Sequence, residues 1–138
     1  MNHQTVSFTE QEKEFFKTIE YARVATVTKE VKPHVTPVVA IYDEQTNAIY
    51  FVITYESQKY KNLKNNPAVA VLIDTTELER GILIQGTAKI IEVGKDFQDA
   101  YKIIDRISYY HRHPFAEGKW PIIKVIPEKK SVWGKIND

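Results

Sequence analysis

The sequence predicts a mainly β domain: an antiparallel barrel with flanking helices. Three observations predict it. Short runs rich in valine, isoleucine and threonine recur along the chain, with short polar turns between them. Several of these runs, such as Val35 to Ile41 and Val69 to Ile73, are apolar on both faces and need cover on both sides. Helical signals are confined to three segments: one before the strands, one between them and one late in the chain. A barrel interior covers one strand face, and helices or a second copy of the chain cover the other.

Thr9 to Ala22 reads as a helix. Thr9 and Glu12 have capping-box spacing, and Phe8 precedes the cap. Phe15, Phe16, Ile19 and Ala22 then recur at helical spacing. From Arg23 the period changes. Arg23 to Thr28, His34 to Tyr42 and Ala48 to Thr54 read as three strands of a meander, joined by polar turns at Lys29 to Lys32 and Asp43 to Asn47. Pro33 and Pro37 are awkward for a central strand, and Pro37 predicts a bulge or an edge. Ser57 to Asn66 reads as a short helix, with Ser57 as its cap and Pro67 as its stop.

Ala68 to Asp74 is the next strand, and Thr75 to Glu79 a polar connection. Arg80 to Val93 reads as one long strand, in which Gly81 and Gly86 give room to bend at a barrel corner. Asp96 to Tyr110 reads as a second long helix with a stripe of Phe97, Tyr101, Ile104 and Ile107 or Ser108. His111 to Trp120 is a loop. Pro121 to Ile126 and Ser131 to Ile136 read as two final strands around a Pro127-Glu128-Lys129-Lys130 turn, for about seven strands in all. With no repeat, low-complexity stretch or linker, residues 1–138 form one domain.

The net charge of +1, from 19 basic and 18 acidic residues, leaves no strong field for nucleic acid or an anionic membrane. The absence of cysteine removes disulfides, thiolate nucleophiles and cysteine metal sites. Met1 to Glu14 is polar and lacks the apolar stretch of a secretory signal. No apolar run reaches the roughly 18 residues of a membrane span. A soluble, cytoplasmic protein is expected.

Ser57-Gln58-Lys59-Tyr60-Lys61-Asn62-Leu63 is the most informative segment. Backbone N–H groups at a helix start favour an anion, and Ser57 and Lys59 add a hydroxyl and an ammonium. Two readings stand at this point: a phosphate site, or a solvated lysine-rich helix with Tyr60 and Leu63 facing the core. His111-Arg112-His113 has no carboxylate cluster beside it and reads as a polar loop rather than a metal site. His34 reads as structural. Tyr109, Tyr110 and Phe115 line a pocket or close the barrel end, and Tyr42, Tyr50 and Tyr55 read as surface or barrel packing residues. The chain carries no Gly-rich dinucleotide fingerprint, P-loop or serine-nucleophile motif.

An ordered set of pieces carries a family resemblance. A helix leads into A-R-V-A-T-V-T (Ala22 to Thr28), then P-H-V-T-P-V (Pro33 to Val38) and I-Y-F-V-I-T (Ile49 to Thr54). S-Q-K-Y-K-N-L (Ser57 to Leu63), N-P-A-V-A-V-L (Asn66 to Leu72), R-G-I-L-I-Q-G-T-A (Arg80 to Ala88) and P-E-K-K-S-V-W (Pro127 to Trp133) follow in order. From about residue 9 to 135 the chain resembles the pyridoxamine 5′-phosphate oxidase-like split-barrel flavoproteins.

That resemblance implies a split β-barrel, bound FMN and a homodimer, because the family's flavin contacts come from two chains. The family holds the flavin phosphate with a basic pair in a Ser-Arg-Lys-like motif. Here Ser57 and Lys59 match the serine and lysine, and Gln58 stands where an arginine is common. Helical geometry turns Lys61 away from Lys59. Ribityl and ring contacts map to Thr36, Pro37, Val38 and Val39 and to Val52, Ile53 and Thr54, with backbone groups doing much of that work. Arg80 and Gly81 match a strand start near the flavin, with Gly81 where the oxidases commonly have glutamine. Trp133 matches an aromatic residue brought by the second subunit.

No catalytic acid or base stands out, and hydride transfer to a flavin need not have one. True pyridoxamine phosphate oxidases carry a basic Arg-Leu-His-Asp-Arg-like tail after the last tryptophan. Gly134-Lys135-Ile136-Asn137-Asp138 stands there instead, which implies that the vitamin B6 substrate site is absent. An FMN-dependent oxidoreductase is thus expected. The alternatives are a deazaflavin-dependent reductase of the same fold and a non-enzymatic barrel for flavin, haem or nucleic acid. Near-neutral charge counts against nucleic acid.

Overall fold

The computed structural model describes residues 6–18, 20–75 and 79–134. Predicted features at Ile19, in the middle of the Thr75 to Glu79 connection and at Lys135 to Asp138 lie outside the described residues. Six strands run antiparallel: β1 (Tyr21–Val27), β2 (Pro33–Asp43), β3 (Ala48–Val52), β4 (Ala68–Thr75), β5 (Arg80–Ile91) and β6 (Ile122–Trp133). They close a barrel in the order β1-β2-β3-β6-β5-β4. Among the described residues four helices flank it: α1 (Glu10–Thr18), α2 (Gln58–Asn65), α3 (Gly94–Ile104) and α4 (Ser108–Arg112).

Alternation builds the interior. Val24 and Thr26 of β1, Ile49 and Phe51 of β3, Val71 of β4, Ile82 and Ile84 of β5 and Ile123 and Val125 of β6 all lie buried. Phe8, Phe15 and Phe16 join this core from the α1 segment, and Leu63 joins it from α2. Phe16 packs on Tyr42, beyond the start of β1, whereas α2 bonds to Thr26 near the end of β1. The two helices therefore close opposite ends of the barrel. A second cluster lies outside, where Phe97, Ala100 and Ile104 of α3 cover Ala48, Tyr50, Ile91 and Ile122.

Where the barrel opens decides where a ligand can reach backbone. Residues 33–39 of β2 pair with β1, and residues 40–43 pair with β3. The ladder between β2 and β3 stops at Ala40–Phe51. From there β3 follows β6, with Val52 opposite Ile122 and the Ile53 N–H bonded to Pro121 O at 3.3 Å. The first half of β2 is thus an edge, as Pro37 predicts, and the barrel is split along it.

Three sequence expectations are corrected. The first helix ends at Thr18, not Ala22: the strand alternation already begins at Tyr21, and Ala22 is a buried β1 residue paired with Val38. The second long helix is two. Tight bonds from Arg106 N–H to Ile103 O and from Ile107 N–H to Ile104 O end α3, and Ile107 turns inward before α4 begins. The two final strands are one, β6. Lys129 pairs with Gln85 but Pro127 pairs with Gly86, so Glu128 forms a bulge there. Gly86 permits it, since a Cβ at that position would strike the Ile126 carbonyl. Among the described residues the total is therefore six strands rather than seven.

Candidate functional site

The split in the barrel leads to the start of α2. Beyond Val52, the Ser57 N–H and Oγ both donate to Thr54 O, and Ser57 Oγ accepts the Tyr60 N–H at 3.2 Å. Ser57 is thus the N-cap read from sequence. No acidic residue stands in the first turn, and Glu56 just before the cap is exposed.

Lys59 lies in that first turn. Its ammonium donates to Thr36 Oγ1 of β2 at 2.8 Å. Among the described residues no carboxylate comes within ion-pair distance of it. Burial pushes the Lys59 ammonium below the usual lysine range. A part-buried cation with only a hydroxyl partner beside a helix N-terminus is a site poised for an anion.

The other predicted residues fall into two groups. Thr36 to Val39 and Val52 to Thr54 flank the split, near Ser57 and Lys59. Val38 and Ile53 bury their side chains in the barrel, and Val39 and Val52 pack toward the outer cluster. Val39 and Val52 are half-buried, so contact with a ligand at Val38 and Ile53 falls to backbone groups. Gln58 turns away from the helix start: its Nε2 donates to Asn62 Oδ1 at 2.7 Å.

Arg80, Gly81 and Trp133 lie elsewhere, toward the end closed by α1. The Arg80 guanidinium stands 5.3 Å over the Phe15 ring. Gly81 pairs with Trp133, whose ring occupies the space a Cβ at Gly81 would need. One chain does not bring this group to Lys59.

Sequence reasoning missed Asn62 and Thr26, a buried bonded pair at the base of α2. The available signal was a polar residue three positions after Lys59, on the face that carries Leu63 inward. It also missed Asp43, whose buried carboxylate accepts from Arg106 and from Thr46. Burial raises the Asp43 pKa, but these bonds outweigh it and hold the carboxyl below its usual range.

A cavity of about 600 Å³ opens between α1, the end of β2 and the turn before α4. Its cations are already matched: Lys13 with Glu10 and Glu44, Lys17 with Glu14, and Arg106 with Asp43. It has no equivalent of the unpaired Lys59. His111 and Arg112 lie on α4 rather than in the expected loop, and His113 caps it; His111 Nδ1 faces Asp105 at 3.4 Å and His113 packs on Tyr109, so both histidines have local partners. No helix among the described residues is long and apolar enough to cross a membrane.

A family model described as pyridoxamine 5′-phosphate oxidase matches residues 8–134. The chain is similar to the 5a,11a-dehydrotetracycline/5a,11a-dehydrooxytetracycline reductase of Streptomyces rimosus, at 31% identity over 94 residues, covering 63% of this chain and 66% of that protein. Among solved structures it is similar to an F420 reductase, at 25% identity and a TM-score of 0.68, covering 90% of this chain and 98% of that one. It also resembles a pyridoxamine 5′-phosphate oxidase-related, FMN binding protein from Nostoc punctiforme. That likeness is 13% identical with a TM-score of 0.66, covering 91% of this chain and 80% of that one, and shows the fold. The fold is the split β-barrel of these proteins. The chain spans between 30% and 66% of the length of the curated relatives it matches.

Proposed function

The chain belongs to the pyridoxamine 5′-phosphate oxidase family, and we propose that it binds FMN in the split of the barrel and works as a flavin-dependent oxidoreductase. The single observation that carries the reading is Lys59. Its part-buried ammonium has a hydroxyl for a partner and stands in the first turn of α2, where a phosphate would supply the missing negative charge.

The residues present fit such a group. Ser57 fixes the helix start, Lys59 neutralises phosphate charge, and the edge of β2 and the end of β3 offer backbone donors and acceptors to a ribityl chain and ring. The flavin itself supplies the hydride chemistry when bound. Arg80, Gly81 and Trp133 reach that site only from a second copy of the chain, so the working unit is a homodimer. The exposed Val35, Pro37 and Tyr21 on the outer face of β1 and β2 offer it an apolar surface.

A deazaflavin coenzyme is the second reading. The 25% identity to an F420 reductase favours it, as do Gln58 and Gly81, which depart from the oxidase pattern. Titrating the purified protein separately with FMN, the deazaflavin and haem decides between them. Saturable FMN binding at a stoichiometry of one per chain supports the proposal. Binding of the deazaflavin without FMN, or a Soret band with haem alone, overturns it.

A further inference from the structure

Two polar side chains lie deep in the barrel end beneath α2. Asn62 is 2% exposed and Thr26 is 1% exposed. Asn62 Nδ2 donates to Thr26 Oγ1 at 2.9 Å, and Asn62 Oδ1 accepts from Gln58 Nε2 at 2.7 Å. The buried amide thus has both its ends satisfied, one by a strand and one by its own helix.

Lys59 and Asn62 are three residues apart and share a helix face. Lys59 reaches Thr36 on β2, and Asn62 reaches Thr26 on β1. These two strands pair directly, with Thr26 opposite His34 and Val24 opposite Thr36. The first two turns of α2 are therefore pinned to two adjacent strands, the first through Lys59 and the second through Asn62. An eight-residue helix is too short to hold its own position in water. Leu63 supplies apolar contact but no direction, whereas hydrogen bonds fix direction.

We infer that Asn62 and Thr26 are positioning residues: the Gln58–Asn62–Thr26 chain aims the α2 N-terminus and Lys59 at the anion. The inference rests on the phosphate reading of the Lys59 site. It assigns Gln58 a role other than the one its motif position implies. Gln58 does not touch phosphate. It completes the buried amide that orients the residues that do. A site preorganised in this way loses affinity when its supporting bonds go, even though every contacting group remains.

Thr26→Val tests this, because it keeps the shape and deletes the hydroxyl. FMN affinity should fall about tenfold, the low end of what loss of a supporting shell costs. Riboflavin, with the same rings and no phosphate, should bind as before, and Thr26→Ser should restore FMN binding. Gln58→Leu, at an exposed position, should give a smaller loss in the same direction and covers the case in which Thr26→Val does not fold. Equal loss of both ligands, or no loss of either, overturns the inference. Inorganic phosphate, followed through the backbone amide shifts of residues 57–60, separates this from the flavin reading. A wild-type chain that binds phosphate there but not FMN removes FMN alone, and the Thr26→Val phosphate affinity then decides the inference. A wild-type chain that binds neither overturns both.

Discussion

The Lys59 ammonium donates to Thr36 Oγ1 across 2.8 Å, joining the first turn of α2 to the edge strand β2. The bond is a neutral acceptor's answer to a charged donor. It satisfies one N–H of three and leaves the charge itself unbalanced. Burial then works against the ammonium, which is why its pKa falls. A doubly charged phosphate would reverse that balance, and a neutral ligand would not.

Lys59→Ala should weaken FMN binding by about 1.5–3 kcal/mol, the range for a hydrogen bond to a charged group. That is about one to two decades in Kd. Riboflavin affinity should be unchanged. Lys64→Ala should affect neither ligand, because the Lys64 ammonium lies 5.3 Å over the Tyr60 ring at the far end of the same helix. Calorimetric titration of three proteins with two ligands reads the pattern. Equal losses for Lys59→Ala and Lys64→Ala would reduce the segment to a diffuse basic face.

The lowered Lys59 pKa gives a pH dependence with a definite sign. In the free protein Lys59 loses its proton below the ordinary lysine value of 10.5. Phosphate binding requires the ammonium, so above that lowered pKa binding must take up a proton. The ratio of FMN to riboflavin affinity should then fall with rising pH, approaching about tenfold per unit. The ratio cancels titration of the ring that both ligands share. In Lys59→Ala it should stay flat over the same window, and a parallel fall there would place the titrating group elsewhere.

Asp43 supplies a separate test of stability. Its side chain is 6% exposed and accepts from Arg106, which is itself 51% exposed. Its carboxyl pKa is depressed in the folded state, so its contribution is present above the unfolded value and lost as pH falls through the folded one. Arg106→Ala should cost about 1–2 kcal/mol near neutral pH, after discounting for the solvent around the guanidinium. The gap to wild type should close as acid protonates Asp43. Urea unfolding at several pH values measures it, and a gap that stays constant into acid would exclude ionised Asp43 as its source.

The proposed homodimer has its own prediction. Val35 is 58% exposed and Tyr21 is 64% exposed on the outer face of β1 and the first half of β2. Sedimentation at micromolar concentration should show a dimer, and Val35→Glu should shift it toward monomer while weakening FMN. A monomeric wild type that still binds FMN with full affinity would place the complete site within one chain.

Much of this site was legible because its signals are local. Ser57 reads as a cap from the residues around it, and Lys59 follows two positions later on the same turn. Pro37 marks the edge strand because proline has no N–H to give a neighbour. What escaped is non-local. Asn62 and Thr26 are 36 positions apart, and each looks like an ordinary surface polar residue until the barrel closes around it. Pro127-Glu128-Lys129-Lys130 has the composition of a turn, yet the strand runs through it. The reason lies across the sheet, where Gly86 makes room for the bulge. The break after α3 escaped for a similar reason: Ile107 keeps the helical spacing in sequence but is buried by a turn of the backbone.

Gly81 gives the last prediction. It pairs with Trp133 across β5 and β6. A Cβ at Gly81 would collide with Trp133 Cζ2 and come within 2.8 Å of Asp74 Cβ, so the indole rests against Gly81 only because position 81 has no side chain. The Trp133 ring is 40% exposed and can move, whereas Asp74 belongs to the β4 backbone ladder and is bonded to Arg23. Gly81→Ala should therefore displace the ring and also strain the β4–β5 ladder at Asp74, at a cost of about 1–3 kcal/mol, the range for overpacking. With Trp120→Phe as background, Trp133 emission should shift to the red and become more accessible to a soluble quencher. Because Trp133 reaches the flavin site from the second chain in the proposed dimer, flavin fluorescence on binding should change as well, with phosphate-dependent affinity intact. An unchanged tryptophan spectrum would mean that the ring does not rest on Gly81 in solution, and Gly81 would then have no part in shaping that wall of the site.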